Sequence, residues 1–464
     1  MKNKPIVYFI AFSAALAGLL FGLDIGVISG AQGFLQKEFA ISDQVVEWIV
    51  SALLVGAVIG TFLSGVLARR SGRRKTLLLS AVLFVAGSIG CAFAQSAAFL
   101  IFARLFLGLA VGMASFTAPL YLSEIAPQNV RGSLVSMYQL MITIGIVVAF
   151  ASNTYFAEYA TLFGQKGGHW RWMLGVVALP AMVMFFAAWF LPESPRWLIL
   201  KGCRERAVEI LEMLTPGREA VIREVEEIEK SAKIKQEGMG LFLKNRYFRR
   251  AVFLGITLQA IQQLTGINVI MYYAPRILEH AHFESVSEQM WGTVIIGITN
   301  VLATFIAIAF VDRLGRKPIM YAGFIIMGGA LLVVGTIFQM PVGNRSDLLN
   351  IAAVIALMIF IVGFAMSAGP VIWILCSEIY PLAARDFGVT CSTATNWIVN
   401  AVVGATFLSM MQGLGAGNTF FLYGALNIAF ILVFLLYVPE TKDVSLEQIE
   451  TRLLSGLPLR KVGR

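Results

Sequence analysis

Apolar residues run along this chain in stretches of about twenty, broken by short clusters of charge, glycine and proline. Twelve such stretches stand out by hydropathy: 8–30, 48–68, 76–95, 99–121, 133–153, 171–191, 250–275, 290–311, 318–340, 350–376, 388–410 and 419–438. A helix of about 20 apolar residues crosses a bilayer, since each residue advances the axis by roughly 1.5 Å and the hydrocarbon core is roughly 30 Å thick. A transmembrane strand would instead alternate apolar and polar positions over about ten residues, and that pattern is absent. The first run follows Lys2 and Lys4 as a secretion signal would, but it is too long for one and contains Asp24, so it predicts a membrane anchor. Composition agrees. Of the 464 residues 58% are hydrophobic and 14% charged, with a mean hydropathy of +0.78, which predicts an all-α membrane protein of twelve transmembrane helices.

The breaks between spans are unequal in charge. Twelve spans put both termini on one side, and that side receives 30 of the 36 Lys and Arg residues; five fall on the other side and one, Arg104, lies inside a span. Cations stay cytoplasmic, so both termini are placed in the cytoplasm. The formal net charge of +9 is a consequence of this asymmetry, and no nucleic-acid partner is expected. Cys91, Cys203, Cys376 and Cys391 sit in or beside spans or in the central polar segment, which implies no disulfide framework. The three histidines, His169, His280 and His282, fall in outer loops without HExxH or GxSxG context. No enzyme, metal or cofactor is therefore expected.

Internal repetition organises the spans. "RRSGRRK" from Arg69 returns as "DRLGRKP" from Asp312, "SEIAPQNVRG" from Ser123 as "SEIYPLAARD" from Ser377, and "PESPR" from Pro192 as "PETKD" from Pro439. Three unrelated patterns recurring in the same order at nearly one spacing indicate a duplicated six-helix unit. Two parallel six-helix halves with a long central segment describe the major facilitator fold, whose substrate site lies near the bilayer midplane between the halves. The predicted boundaries are 1–198 for the first bundle, 199–249 for a cytoplasmic helical linker, 250–443 for the second bundle and 444–464 for a cytoplasmic tail. Val221, Val225 and Ile228 share one helical face in the linker, which predicts short amphipathic helices there.

"PESPRWL" (192–198), "QQLTGINVIMYYAP" (262–275), "DRLGRK" (312–317), "GPVIWILCSEIYP" (369–381) and "PETKDVSLEQIE" (439–450) resemble the sugar porters of the major facilitator superfamily. Through "YQLMITIGI" (138–146) and "RDFGVTCSTATNW" (385–397) the chain is most similar to the bacterial galactose-proton and arabinose-proton symporters. The resemblance implies a monomer in the bacterial inner membrane that imports a monosaccharide (galactose, arabinose or glucose-like) together with protons by alternating access. A facilitative sugar uniporter and a non-transporting sugar sensor are the other readings compatible with this core, the sensor usually carrying a long cytoplasmic tail.

Asp24 is the residue that separates them. A carboxylate in hydrocarbon is costly unless paired, protonated or facing water. Helix 1 runs outward and helix 4 inward, so Asp24 and Arg104 both sit roughly 8–9 Å below the outer edge at ~1.5 Å per residue, and are expected partners. Pairing favours the charged carboxylate and burial the neutral one. The pair can thus be a static lock between two helices or a proton site that a conformational cycle loads and unloads. The resemblance favours the second, because Asp24 matches an acid that the proton symporters of the family carry and the uniporters lack. Gly18, Gly22, Gly26 and Gly30 form one stripe around it that suits close helix packing.

A sugar needs several hydrogen-bonding groups and a flat apolar face. Gln263 and Asn268 lie about 140° apart on one straight helix, so a break near Gly266 is expected if both are to reach one ligand. Amides that merely join helices are the structural alternative. The resemblance carries sugar contacts onto Gln139, Gln262, Gln263, Asn268, Asn300, Trp373 and Asn396, with Phe21 and Tyr272 closing over the ligand. Trp373 follows the breaker pair Gly369-Pro370 and would offer its ring to the sugar, although a lone Trp also suits a lipid-facing or interfacial position. On the cytoplasmic side the repeated acids and cations predict a gate of ion pairs made by Arg70, Arg73, Glu124, Arg131 and Glu193 in one half and Arg313, Arg316, Glu378, Arg385 and Glu440 in the other. Arg69 stands where the second copy has Asp312, so the halves differ at this clamp.

Overall fold

The computed structural model describes residues 4–125, 131–159, 168–214, 217–232, 238–341, 345–381, 384–442, 444 and 446–463. Among these residues every regular element is helical. Twelve segments are long and apolar enough to cross a membrane, and they fall on the twelve stretches read from hydropathy. The chain divides into two compact units: residues 1–41 with 52–235, and residues 42–51 with 236–464.

The first unit holds α1 (Lys4–Phe39), most of α2 (Asp43–Ser71), α3 (Arg73–Ala92), α4 (Ala97–Ile125), α5 (Arg131–Tyr159), α6 (His169–Gly175), α7 (Ala178–Trp189), α8 (Pro195–Leu200), α9 (Arg204–Leu214) and α10 (Arg218–Ala232). Apolar surface gives little drive for association inside a membrane, so small residues and close backbone contact hold such helices together. The glycine stripe of α1 packs on α5 in this way. A side chain at Gly22 would overlap the Ile142 carbonyl, and one at Gly26 the Ala149 side chain. Asn153 of α5 also donates to the Gly26 carbonyl at 2.8 Å. The same logic joins α2 to α4, where Gly56 and Gly60 meet the Leu105 and Leu109 backbone and Gly108 and Gly112 meet that of Leu53 and Ala57. Outside the spans, Leu211, Val221, Val225 and Ile228 of α9 and α10 bury one another against Ile199 and Val208, which realises the amphipathic face read from the sequence.

The second unit holds the first turns of α2, then α11 (Gly238–Lys244), α12 (Arg246–Leu264), α13 (Ile267–His280), α14 (Val286–Leu314), α15 (Arg316–Gln339), α16 (Asp347–Met366), α17 (Ala368–Glu378), α18 (Arg385–Leu414), α19 (Ala416–Tyr437) and α20 (Leu446–Leu454). Two spans are broken in mid-course. Gly266 adopts φ 95°, ψ 7°, a left-handed conformation open to glycine, and separates α12 from α13. The break frees backbone groups that a membrane cannot hydrate, and Asn427 of α19 answers one of them by donating to the Thr265 carbonyl at 3.0 Å. The second break is at Ser367 (φ −127°, ψ −90°), just ahead of Gly369-Pro370. The duplication extends to backbone detail. Gly72 and Gly315, at φ 96° and 92°, form the single-residue joints between α2 and α3 and between α14 and α15.

Candidate functional site

Asp24 and Arg104 meet inside the first unit. An Nη1 of Arg104 on α4 lies 3.7 Å from Oδ1 of Asp24 on α1, and each residue is only 1% exposed. This separation is too long for a hydrogen bond, and among the described residues neither carboxylate oxygen of Asp24 receives one. Charge attraction alone therefore holds the carboxylate. Gly22 and Gly26, two residues before and after Asp24, pack on α5 from the opposite face of α1. Cys91 of α3 is buried.

Gln262, Gln263, Asn268 and Asn396 form hydrogen bonds beside the Gly266 break. The left-handed glycine turns α13 so that Asn268 Nδ2 donates to Gln263 Oε1 at 2.5 Å, although a straight helix would set the two residues far apart in angle. Gln262 is nearly fully buried. Its Nε2 donates to the carbonyls of Ala368 (2.9 Å) and Gly369 (3.0 Å) at the start of α17, and its Oε1 accepts from Asn396 Nδ2 of α18 at 2.7 Å. The two helix breaks are thereby tied together by one amide. Tyr272 Oη lies 3.3 Å from Oδ1 and 3.2 Å from Nδ2 of Asn400, which links α13 to α18. Asn300 of α14 is buried, and Trp373 of α17 is 39% exposed. Phe21 of α1 and Gln139 of α5, the expected contacts from the first unit, are both half-buried.

Two of these partners escaped the sequence reading. Gln259 accepts from Asn396 Nδ2 at 2.6 Å, and Asn400 pairs with Tyr272. Gln259 stands three residues before Gln262 and Asn400 four after Asn396, so helical spacing was the available signal.

Six of the ten expected gate residues take part in two hydrogen-bonded networks, one in each unit. In the first, Arg73 Nη2 donates to Glu124 Oε1 at 2.7 Å while Ser194 Oγ donates to Glu124 Oε2 at 2.6 Å. Glu193 Oε1 accepts the backbone N–H of Arg73 (2.8 Å) and of Arg74 (3.2 Å), which places a carboxylate at the positive end of α3. In the second, Arg316 Nη2 and Thr441 Oγ1 donate to Glu378 at 3.1 and 2.5 Å, and Glu440 accepts the N–H groups of Arg316 (3.1 Å) and Lys317 (2.9 Å) at the start of α15. Arg70 is exposed and Arg385 half-buried; the side chains of Arg131 and Arg313 lie outside the described residues.

Comparison with known proteins places this arrangement. The family described as "Sugar (and other) transporter" matches residues 10–453. The chain is a member of that family. It is 55% identical to the galactose-proton symporter of Escherichia coli strain K12 over 462 residues, covering 100% of this chain and 97% of that one. The arabinose-proton symporter of the same strain is 52% identical, covering 98% and 95%. Among solved structures, the major facilitator proton:xylose symporter XylE bound to 6-bromo-6-deoxy-D-glucose superposes with a TM-score of 0.83 at 31% identity, covering 97% of this chain and 99% of that one. XylE from E. coli in a partially occluded inward open conformation gives a TM-score of 0.81, also at 31% identity, over 95% and 99% of the two chains. This transporter therefore has the major facilitator fold read from its repeats.

Proposed function

We propose that this chain is a proton-coupled symporter that brings a monosaccharide, galactose- or arabinose-like, across a bacterial inner membrane by alternating access, with both termini in the cytoplasm. The observation that carries this reading is the manner in which Asp24 is buried. A carboxylate stabilised by hydrogen-bond donors loses part of that stabilisation on protonation. Asp24 has one cation at 3.7 Å and no protein donor among the described residues, so a proton competes with Arg104 alone. A movement of α1 against α4 that lengthens the pair favours uptake of a proton, and one that shortens it favours release. The cycle thereby links a conformational change to the uptake and release of a proton at Asp24.

The sugar is read as the ligand of Gln262, Gln263, Asn268, Asn300 and Asn396, whose amides supply donors and acceptors in the density a polyol needs, with Trp373 offering an aromatic face. Tyr272 of the second unit and Phe21 and Gln139 of the first complete the proposed contacts. The N-terminal bundle 1–198 and C-terminal bundle 250–443 act as the moving halves, joined by the linker 199–249 and followed by the tail 444–464. The networks around Glu124 and Glu378 brace the cytoplasmic ends of the helices in each half, and Arg70, Arg131, Arg313 and Arg385 are read as further cations of the same gate. The other relatives named as symporters of galactose and arabinose support the same chemistry.

Addition of D-galactose or L-arabinose to de-energised cells making the protein is expected to turn the medium alkaline as sugar and protons enter together. Asp24→Asn is expected to abolish both this signal and uphill accumulation while exchange of labelled for unlabelled sugar continues. Full accumulation in that variant would remove the proton role of Asp24, and sugar entry without alkalinisation in the unsubstituted protein would make it a facilitative carrier.

A further inference from the structure

Asp24 is not alone among the acids of the membrane-spanning helices. Glu47, in the second turn of α2, is fully buried at 0% exposure, and both of its carboxylate oxygens are engaged by one residue. Ser409 of α18 donates its backbone N–H to Oε1 at 2.8 Å and its hydroxyl to Oε2 at 2.6 Å. One turn earlier, Asp43 Oδ1 lies 3.6 Å from Arg276 of α13, and its Oδ2 accepts from Gln412 of α18. Arg276 also lies 3.7 Å from Glu279 on its own helix. Two acids on successive turns of one helix thus hold α13 and α18, the elements that bear Asn268 and Tyr272 and Asn396 and Asn400.

The rest of α2 belongs elsewhere. Residues 42–51 pack with the second unit and residues 52–71 with the first, where Gly56 and Gly60 lie against the Leu105 and Leu109 backbone of α4. Leu105 is the neighbour of Arg104. A single continuous helix therefore runs from the residues that hold the amide-bearing helices to the residues that press on the helix of the proton pair.

We propose that Asp43 and Glu47 are positioning residues for transport: they clasp α13 and α18 in the arrangement that binds sugar. The inference rests on the transport reading above. A buried carboxylate held by two donors has a role that packing alone does not require, because an apolar residue would fill the same space at less cost. Releasing the clasp lowers the population of the binding-competent arrangement, and the apparent affinity falls by that fraction while the chemistry of each turnover is untouched.

The test is sugar counterflow in proteoliposomes, with no proton gradient, using D-galactose and L-arabinose. The protein is compared with Glu47→Ala, Glu47→Gln and Ser409→Ala, together with direct sugar binding to the purified proteins. Loss of the Glu47 bonds is expected to raise KM and Kd about three- to tenfold with kcat unchanged, as removal of about one hydrogen bond's worth of positioning implies. Glu47→Gln, which keeps an acceptor for the Ser409 N–H, is expected to stay within about twofold of the unsubstituted protein. A merely structural role would lower the amount of active protein and leave KM alone. Should Glu47→Ala fail to fold, Ser409→Ala removes the hydroxyl bond without disturbing the carboxylate and decides the matter. An unchanged KM and Kd in Glu47→Ala, or in Ser409→Ala should Glu47→Ala not fold, beside normal counterflow in the unsubstituted protein, overturns the clasp and leaves the transport reading standing. Absence of any sugar response in the unsubstituted protein overturns both.

Discussion

Asp24 and Glu47 are both carboxylates buried in membrane-spanning helices, yet their surroundings differ: among the described residues one faces a cation without hydrogen bonds and the other is held by two hydrogen-bond donors. The first arrangement could be read from sequence because only one cation lay deep in a span and simple rise arithmetic put it at the same depth. The second could not, since half of its recognition is a backbone N–H in a helix 362 residues away. The pairing of Asp24 with Arg104 also makes a stability prediction. Arg104→Leu strands a buried acid and is expected to cost about 3–5 kcal/mol, whereas the double variant Asp24→Asn with Arg104→Leu recovers most of the loss. Thermal unfolding of the purified proteins in one detergent checks this. A double variant no more stable than Arg104→Leu would mean that the guanidinium matters for packing and not for charge.

At the scale of elements, the two broken spans of the second unit are what bring its polar side chains together. The α12–α13 break was legible because two amides 140° apart on one helix flanked a glycine, and the left-handed Gly266 satisfies that geometry. The α16–α17 break falls at Ser367, slightly before the Gly-Pro pair that pointed to it, because Pro370 fits within the first turn of a new helix, where its missing N–H is not needed. Gly266→Ala is expected to cost about 1–2 kcal/mol through the left-handed backbone. Its added methyl would also sit 3.1 Å from the Tyr423 ring. If the break serves the sugar, this variant raises KM in uptake assays by more than its stability loss explains. An unaltered KM in folded Gly266→Ala would show that the amide cluster tolerates a shift of α13. The glutamates of "PESPR" and "PETKD" illustrate the same scale: each caps the helix that follows a positive-φ glycine, a role visible only once the chain has folded back.

For the whole molecule, duplication is the dominant fact, and it extends from motif to hydrogen bond. Arg73, Glu124 and Ser194 in one unit match Arg316, Glu378 and Thr441 in the other, with each acid held by one arginine and one hydroxyl. Because the two networks share no residue, Glu124→Gln and Glu378→Gln are expected to destabilise additively, to within about 0.3–0.5 kcal/mol. A clear departure from additivity in thermal unfolding would reveal coupling between the halves in the folded state. The linear chain by itself determined the twelve spans, the two-fold repeat and the presence of a buried acid and cation at one depth, because hydropathy, charge and periodicity are local properties that a bilayer enforces along the chain. Only the tertiary structure decided which partners each polar group takes, that Gln259, Asn400 and Ser409 join them, and that α2 divides its turns between the two units. Those outcomes depend on side chains and backbone groups far apart in sequence, whose meeting is fixed by helix packing and not by any pattern within one span.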